Sequence, residues 1–338
     1  MYSLKRLWLR DQGVYKQWAS LMDRAGLNKE EELDYTVGIY DNDLLVATGS
    51  YYHNILKCLV VCKAFQSENL LTEIIQHLVD RLAEEGEQHY FLYSKPSNEL
   101  IFRSLGFQKI IATSEILFME RGLPNFASYL STLAKGKKMG TGSGIVMNAN
   151  PFTKGHQYLV ETAAQQSQQV YVFVLSEDRS EFSTADRMEM VKRGVAHLSN
   201  VTVFPTNDYL VSSATFPSYF LKDSAIETVA KIQAKVDAQL FKEKIAPVLD
   251  IRTRFVGEEP YSKVTDTYNH AMQEMFGDSL ELVILPRLSI DGEIISATKV
   301  REALKNQDDR RLRQFLPSTT YHYLKTRGET IWKLHKSQ

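Results

Sequence analysis

From residue 144 onward, short apolar runs alternate with segments of helical period, and this alternation constrains the fold more than any other feature of the chain. The runs are Gly144 to Met147, Val170 to Leu175, Val201 to Phe204, Arg252 to Val256 and Glu281 to Leu285. Between and after them lie helical stretches starting at Lys154 and Ser183, a long one from Asp223 to Phe241, another from Ser262 to Phe276, and a last one starting at Ser296. Strands that alternate with helices predict a mainly parallel, doubly wound α/β sheet. Such sheets bind ligands outside the carboxyl ends of their strands.

One of those ends carries Gly144-Ile-Val-Met-Asn-Ala-Asn-Pro-Phe-Thr-Lys-Gly-His156, an apolar strand that enters a helix through a Gly-His turn. Unpaired N–H groups at a helix start attract anions, the glycine lets the chain approach closely, and an imidazole there can donate to phosphate oxygens. Far downstream, Ile295-Ser-Ala-Thr-Lys-Val-Arg301 opens a second helix with two hydroxyls and two cations, a donor set for a triphosphate or a leaving pyrophosphate. Taken singly, a His after Gly is often a cap, Ser296 an ordinary N-cap and Arg301 an ordinary helix residue. Both segments in one chain, each at a strand-to-helix step, point to a nucleotide site. Glu181-Phe-Ser-Thr-Ala-Asp-Arg187 reads as a further helix start capped by Ser183 or Thr184, with Arg187 either facing phosphate or solvated. Phe255-Val-Gly-Glu-Glu-Pro-Tyr261 ends a strand on Gly257 and two carboxylates; Glu258 and Glu259 suit ribose or Mg²⁺ and read equally well as loop charges. Tyr209 to Phe220 is either a cover for the site or a packed loop.

At 338 residues the chain suits two domains, and 43% hydrophobic with 24% charged residues is ordinary globular composition. A formal net charge of −1 gives no general pull toward nucleic acid or membrane, so any anion site must be local. The N-terminal Met1 to Arg10 is broken by charges and no run reaches spanning length, so a cytoplasmic enzyme is expected. Cys58 and Cys62 fall on one predicted strand about 13 Å apart, which excludes a mutual disulfide and makes them core thiols. The histidines other than His156 show no metal-ligand spacing.

In the front half, Asp34 to Tyr40, Leu44 to Tyr52 and Ile55 to Cys62 read as an antiparallel meander turning at Asp41-Asn-Asp43. A helix from Ser67 to Leu82, a strand from His89 to Tyr93, a short helix from Asn98 to Leu105 and a last strand around Gly106 to Met119 complete a mixed sheet with helices. With Phe91-Leu-Tyr-Ser-Lys-Pro-Ser-Asn-Glu-Leu-Ile-Phe-Arg-Ser-Leu-Gly-Phe107, residues 1–120 resemble the Gcn5-related N-acetyltransferase superfamily. The family's pyrophosphate turn, Gln/Arg-x-x-Gly-x-Gly/Ala, falls here on Gln66-Ser-Glu-Asn-Leu-Leu71, which lacks both glycines and adds Glu68. That departure favours a scaffold or docking role over a working acetyltransferase that binds acyl-CoA. After a helical candidate, Asn125 to Leu133, the Gly-rich basic stretch Lys135 to Gly144 lacks P-loop spacing and reads as a linker. The expected division is therefore 1–120, a linker over 121–142, and 143–338.

Thr153-x-Gly-His156 with Ile295-Ser-x-Thr-x-x-Arg301 resembles the paired signature of the HxGH nucleotidyltransferases over residues 143–330, with Thr153 at the first His position. That likeness implies a Rossmann-like domain, in-line attack at the α-phosphorus of ATP, catalytic roles for His156, Thr153 and Arg301, and nucleotide contacts from Asn148, Lys154, Gly155, Arg187, Gly257, Glu258, Ser296 and Thr298. With Phe182-Ser-x-x-Asp-Arg187 and Val256-Gly-Glu-Glu-Pro-Tyr261 added, nearly the whole chain resembles the bacterial citrate lyase ligase family. The resemblance implies activation of acetate as acetyl-AMP by ATP with Mg²⁺. It also implies transfer of the acetyl group to the thiol prosthetic group on the citrate lyase acyl-carrier subunit. The rival expectation is an adenylyltransferase acting on a phosphorylated metabolite such as phosphopantetheine.

Overall fold

The computed structural model describes residues 2–30, 32–66, 69–176, 180–210, 226–258 and 263–334. Two elements that the patterning does not announce begin the chain: strand β1 (Tyr2–Arg6) and helix α1 (Gln12–Ala25). Asp11 caps α1 by accepting from the N–H groups of Gly13 and Val14 at 2.8 and 3.0 Å, and Gly26, at φ 70°, ends it in the left-handed region. The expected meander follows as β2 (Tyr35–Asp41), β3 (Leu44–Tyr52) and β4 (Ile55–Val61). Then come α2 (Leu70–Glu84), β5 (His89–Ser94), α3 (Glu99–Ser104), β6 (Gln108–Ala112), β7 (Leu117–Gly122) and α4 (Phe126–Lys135).

The seven strands form one mixed sheet in the order β1-β2-β3-β4-β5-β7-β6, in which only β4 and β5 run parallel. Its core is the apolar stripe of α2, Ile74, Ile75, Leu78 and Leu82, buried against Val37, Ile39, Val46 and Leu92. Gly49 on β3 lets this helix close on the sheet, because a Cβ there would overlap the Ile74 side chain. The single expected strand around Gly106 to Met119 is instead the hairpin β6–β7. The hydroxyl of Thr113 makes the turn by accepting from the N–H groups of Glu115 and Ile116 at 3.2 and 3.0 Å. Cys58 is buried and Cys62 half-buried, both as free thiols, and burial pushes the Cys58 thiol up. Ser67 and Glu68 lie outside the described residues.

The stretch expected as a linker contains α4 and a turn tied by Lys138 N–H to the Tyr171 hydroxyl and Thr141 N–H to Gln168 Oε1, both at 2.9 Å. Beyond it run β8 (Gly142–Met147), α5 (Lys154–Gln166), β9 (Gln169–Val174), α6 (Thr184–Gly194), β10 (Val201–Pro205), α7 (Ile226–Leu240), α8 (Ala246–Leu249), β11 (Ile251–Gly257), α9 (Lys263–Phe276), β12 (Glu281–Leu285), the two-residue strands β13 (Ser289–Ile290) and β14 (Glu293–Ile294), α10 (Ala297–Lys305), α11 (Asp309–Phe315) and α12 (Ser318–Leu334). The five long strands make an all-parallel sheet ordered β10-β9-β8-β11-β12. The first strand of the set is central, so the order reverses beside β8, where ligands bind in doubly wound folds. Ile145, Val172, Val174 and Phe255 from the strands, Val160 and Met190 from helices, and Phe315 pack the core.

Contacts divide the chain into one unit of residues 1–129 with 215–240 and another of 130–214 with 241–338. The expected linear division lacked this exchange. Helix α7 belongs to the front unit, where it packs on β6 and Gln239 donates its side-chain N–H to the Ala112 carbonyl at 3.2 Å. Among the described residues no helix is long and apolar enough to cross a membrane.

Candidate active site

Two helix N-termini meet at the carboxyl edge of the parallel sheet. At the first, Thr153 caps α5, and its side chain and that of His156 form a reciprocal box. The Thr153 backbone N–H donates to His156 Nδ1 at 3.0 Å, and the Thr153 hydroxyl lies 2.9 Å from the same nitrogen. An Nδ1 that accepts from a backbone N–H carries no proton, so the ring proton resides on Nε2. Burial pushes the imidazole down to about 4, and the Arg287 guanidinium adds repulsion. His156 is thus neutral at pH 7, an N–H donor without charge.

At the second, Ser296 caps α10 by accepting from the Lys299 N–H at 3.2 Å, leaving Thr298 exposed in the first turn. The two ends are joined directly. Arg301 Nη1 donates to the Asn150 carbonyl at 2.7 Å across 151 positions of sequence, Nη2 donates to Thr298 Oγ1 at 3.0 Å, and Nε stands 3.7 Å from Glu181 Oε2. A Cβ on Gly155 would lie 3.9 Å from the nearest atom of the buried Ile295, so α5 starts against the residue that precedes Ser296. Gly257, at the end of β11, has no described atom within 4 Å of where a Cβ would stand.

Three expected contact residues hold the walls of the site in this structure. Arg187 is fully buried, its Nε on the Phe182 carbonyl at 3.1 Å and Nη1 on the Leu175 carbonyl and Asn148 Oδ1 at 2.6 and 2.7 Å. It ties the ends of β8 and β9 to α6. Asn148 is thereby engaged through Oδ1, which also accepts from Ser180 at 3.2 Å. Lys154 Nζ donates to the carbonyls of Arg313 and Gln314 at 3.0 and 2.8 Å, which fastens α5 to the end of α11. Glu258 presents its backbone: its N–H donates to the Leu285 carbonyl, and its carbonyl accepts from Arg287 Nε, each at 2.8 Å. Glu259 and nearly all of the 209–220 stretch lie outside the described residues; Tyr209 and Leu210 are buried.

Arg287, whose Nε donates to the Glu258 carbonyl at this edge of the sheet, is a residue that the motifs did not point to. The available signal was slight, a cation two residues past the end of a predicted strand at the ligand-binding edge. Among the described residues no group of three or more His, Cys, Asp or Glu side chains could hold a metal ion.

The model of the citrate lyase ligase C-terminal domain matches residues 142–324, more than half of the chain and all of its parallel sheet. The chain belongs to the citrate lyase ligase family. Two ligases of the family align across both units. The citrate (pro-3S)-lyase ligase of Haemophilus influenzae is 36% identical over 318 residues, 91% of this chain and 94% of its own. The citrate (pro-3S)-lyase ligase of Escherichia coli is 32% identical over 314 residues, 90% and 89% of the two chains. A phosphopantetheine adenylyltransferase of H. influenzae is similar over 65 residues at 38% identity, 19% of this chain and 42% of its own.

Proposed function

We propose that this member of the citrate lyase ligase family activates acetate with MgATP and acetylates the thiol of the prosthetic group on the citrate lyase acyl-carrier subunit. The observation that carries the reading is the likeness to named ligases over both units, whereas similarity to a simple adenylyltransferase stops at a fraction of the chain. In the first step an acetate oxygen attacks the α-phosphorus, the bond to the β-phosphate oxygen breaks, and acetyl-AMP and pyrophosphate form. In the second, the thiol sulfur attacks the acetyl carbonyl, the thiol proton is released, and AMP leaves. Acetate is ionised at neutral pH, so the first step needs donors rather than a base.

The donors are assigned as follows. His156 Nε2–H faces the α-phosphate, with Thr153 holding the ring. The N–H groups at the start of α10, with Ser296, Thr298 and Arg301, take the β- and γ-phosphates. Gly155 and Gly257 provide close approach, with Glu258 beside them. Arg187, Asn148 and Lys154 keep the loops in place around the nucleotide. Mg²⁺ arrives as part of the nucleotide substrate, in keeping with a site edged by donors and isolated carboxylates. The front unit is assigned to docking the carrier subunit.

The test is acetate-dependent exchange of pyrophosphate into ATP by the purified chain, with Mg²⁺ and no carrier protein. Exchange that requires acetate is expected, and His156→Ala or Arg301→Ala should slow it by at least ~100-fold, the usual cost of an aimed transition-state donor. Exchange driven by a phosphopantetheine-like substrate instead of acetate would assign the chain to adenylyl transfer.

A further inference from the structure

Between the end of β8 and the cap of α5 the chain turns a strained corner. Ala149 is buried at φ 51°, a left-handed value that costs free energy for a residue with a Cβ, so the residues around it have to be held from outside. Asn148 is held by Arg187 Nη1, through its carbonyl at 3.1 Å and its Oδ1 at 2.7 Å. Phe152 anchors the α5 side on its own, fully buried against Gly194 of α6, where a Cβ would overlap its ring. Asn150, between these two, has both of its oxygens in use. Its Oδ1 accepts from the Phe182 N–H at 3.2 Å, and its carbonyl accepts from Arg301 Nη1 at 2.7 Å.

These contacts close into a ring. Glu181, the residue before Phe182, places Oε2 3.7 Å from Arg301 Nε, so the guanidinium is gripped by the Asn150 carbonyl at one end and by the neighbour of Asn150's own anchor at the other. Nη2 reaches Thr298 Oγ1 at 3.0 Å. A guanidinium carries two N–H groups on each terminal nitrogen, so among the described residues these bonds use one on Nη1 and one on Nη2 and leave the second of each for phosphate oxygens. The direction in which those two point is set by the carbonyl of Asn150, and that carbonyl is set by the side chain of the same residue. Removing Oδ1 would orphan the Phe182 N–H and let the carbonyl turn, with Arg301 following it.

We propose that Asn150 is a positioning residue of this site, its side-chain oxygen fixing on Phe182 N–H the carbonyl that aims Arg301 at the phosphates. The assignment rests on the role given to Arg301 in the acetate-activating reading above. The test is a double-mutant cycle in the acetate-dependent exchange assay on the full chain. Asn150→Ala lowers kcat by about tenfold and leaves the KM for acetate within about threefold, since a misplaced donor costs less than the ~100-fold loss of Arg301 itself. In the Arg301→Ala background the same substitution changes the rate by less than about twofold, because the group it positions is already gone. Asn150→Asp keeps an acceptor in the same place and holds kcat within about threefold of wild type. A structural defect acting elsewhere would give neither the coupling nor the rescue. If Asn150→Ala does not fold, Asn150→Ser, which shortens the acceptor, carries the same cycle. Equal losses in the wild-type and Arg301→Ala backgrounds, or an Asn150→Ala rate within about twofold of wild type, overturn this assignment while leaving the acetate reading in place. Wild-type protein without acetate-dependent exchange overturns the acetate reading itself, and this assignment with it.

Discussion

A single imidazole is held in one tautomer at the start of α5. Thr153 supplies the constraint, since its N–H and hydroxyl both address Nδ1. Thr153→Val removes the hydroxyl cap, and is expected to cost about 1 kcal/mol of stability and to slow the exchange, while Thr153→Ser keeps both near wild type. Denaturant unfolding alongside the rate assay decides it; an unchanged rate in Thr153→Val would mean that the backbone N–H suffices. The depressed pKa of His156 also has a stability consequence. The unfolded imidazole titrates near 6.5 and the folded one near 4, so its neutral form is favoured by folding. This contribution, up to about 3 kcal/mol, is complete above pH 6.5, shrinks as the pH falls and is lost below about 4. Unfolding midpoints measured from pH 7 to 4.5 should therefore fall more steeply for wild type than for His156→Gln; parallel curves would refute the depressed value. The motif residues were legible because helix N-termini that meet phosphate use a small vocabulary of Gly, His, Ser and Thr. The partners of Arg187, Lys154 and Arg287 were not, because their acceptors include backbone carbonyls, which no side-chain pattern announces.

At the level of strands and helices, the site depends on loops that must stay where the sheet leaves them. Arg187 fastens the loops after β8 and β9 to α6, so Arg187→Met should lower the unfolding free energy by at least about 2 kcal/mol by orphaning buried acceptors. Chemical denaturation measures it, and a stable variant with a raised KM for ATP would return Arg187 to direct nucleotide contact. The central parallel strands were readable as apolar runs because both of their faces are covered. The elements that escaped have weaker signatures. Edge strand β1 is mostly exposed, so it lacks an apolar side, and α1 fully buries little beyond Trp18, Leu21 and Met22. The turn that splits β6 from β7 uses Thr113 and contains neither glycine nor proline, so the two strands read as one. Helices α11 and α12 lie beyond the last motif, where only the start at Ser296 drew attention.

For the molecule as a whole, the exchange of residues 215–240 matters more than the linker does. Sequence reading places a boundary where glycines and lysines cluster, but a helix contributed from later in the chain leaves no mark in composition. Helix α7 belongs to the front unit, packs on β6 and is buried at Ala234, Val236 and Ala238. A fragment starting at Gly140 carries that apolar face without the sheet it covers, and is expected to associate on a sizing column. A fragment of residues 1–129 should unfold at lower denaturant than the same fragment joined to 215–240. A monomeric, dispersed 140–338 fragment would show that the helix finds cover elsewhere. Inheritance is constrained in the same way: a crossover that replaced the first 129 residues with those of a distant relative would seat a foreign sheet on an unmatched helix, so the two halves can drift only as fast as α7 and β6 accommodate each other.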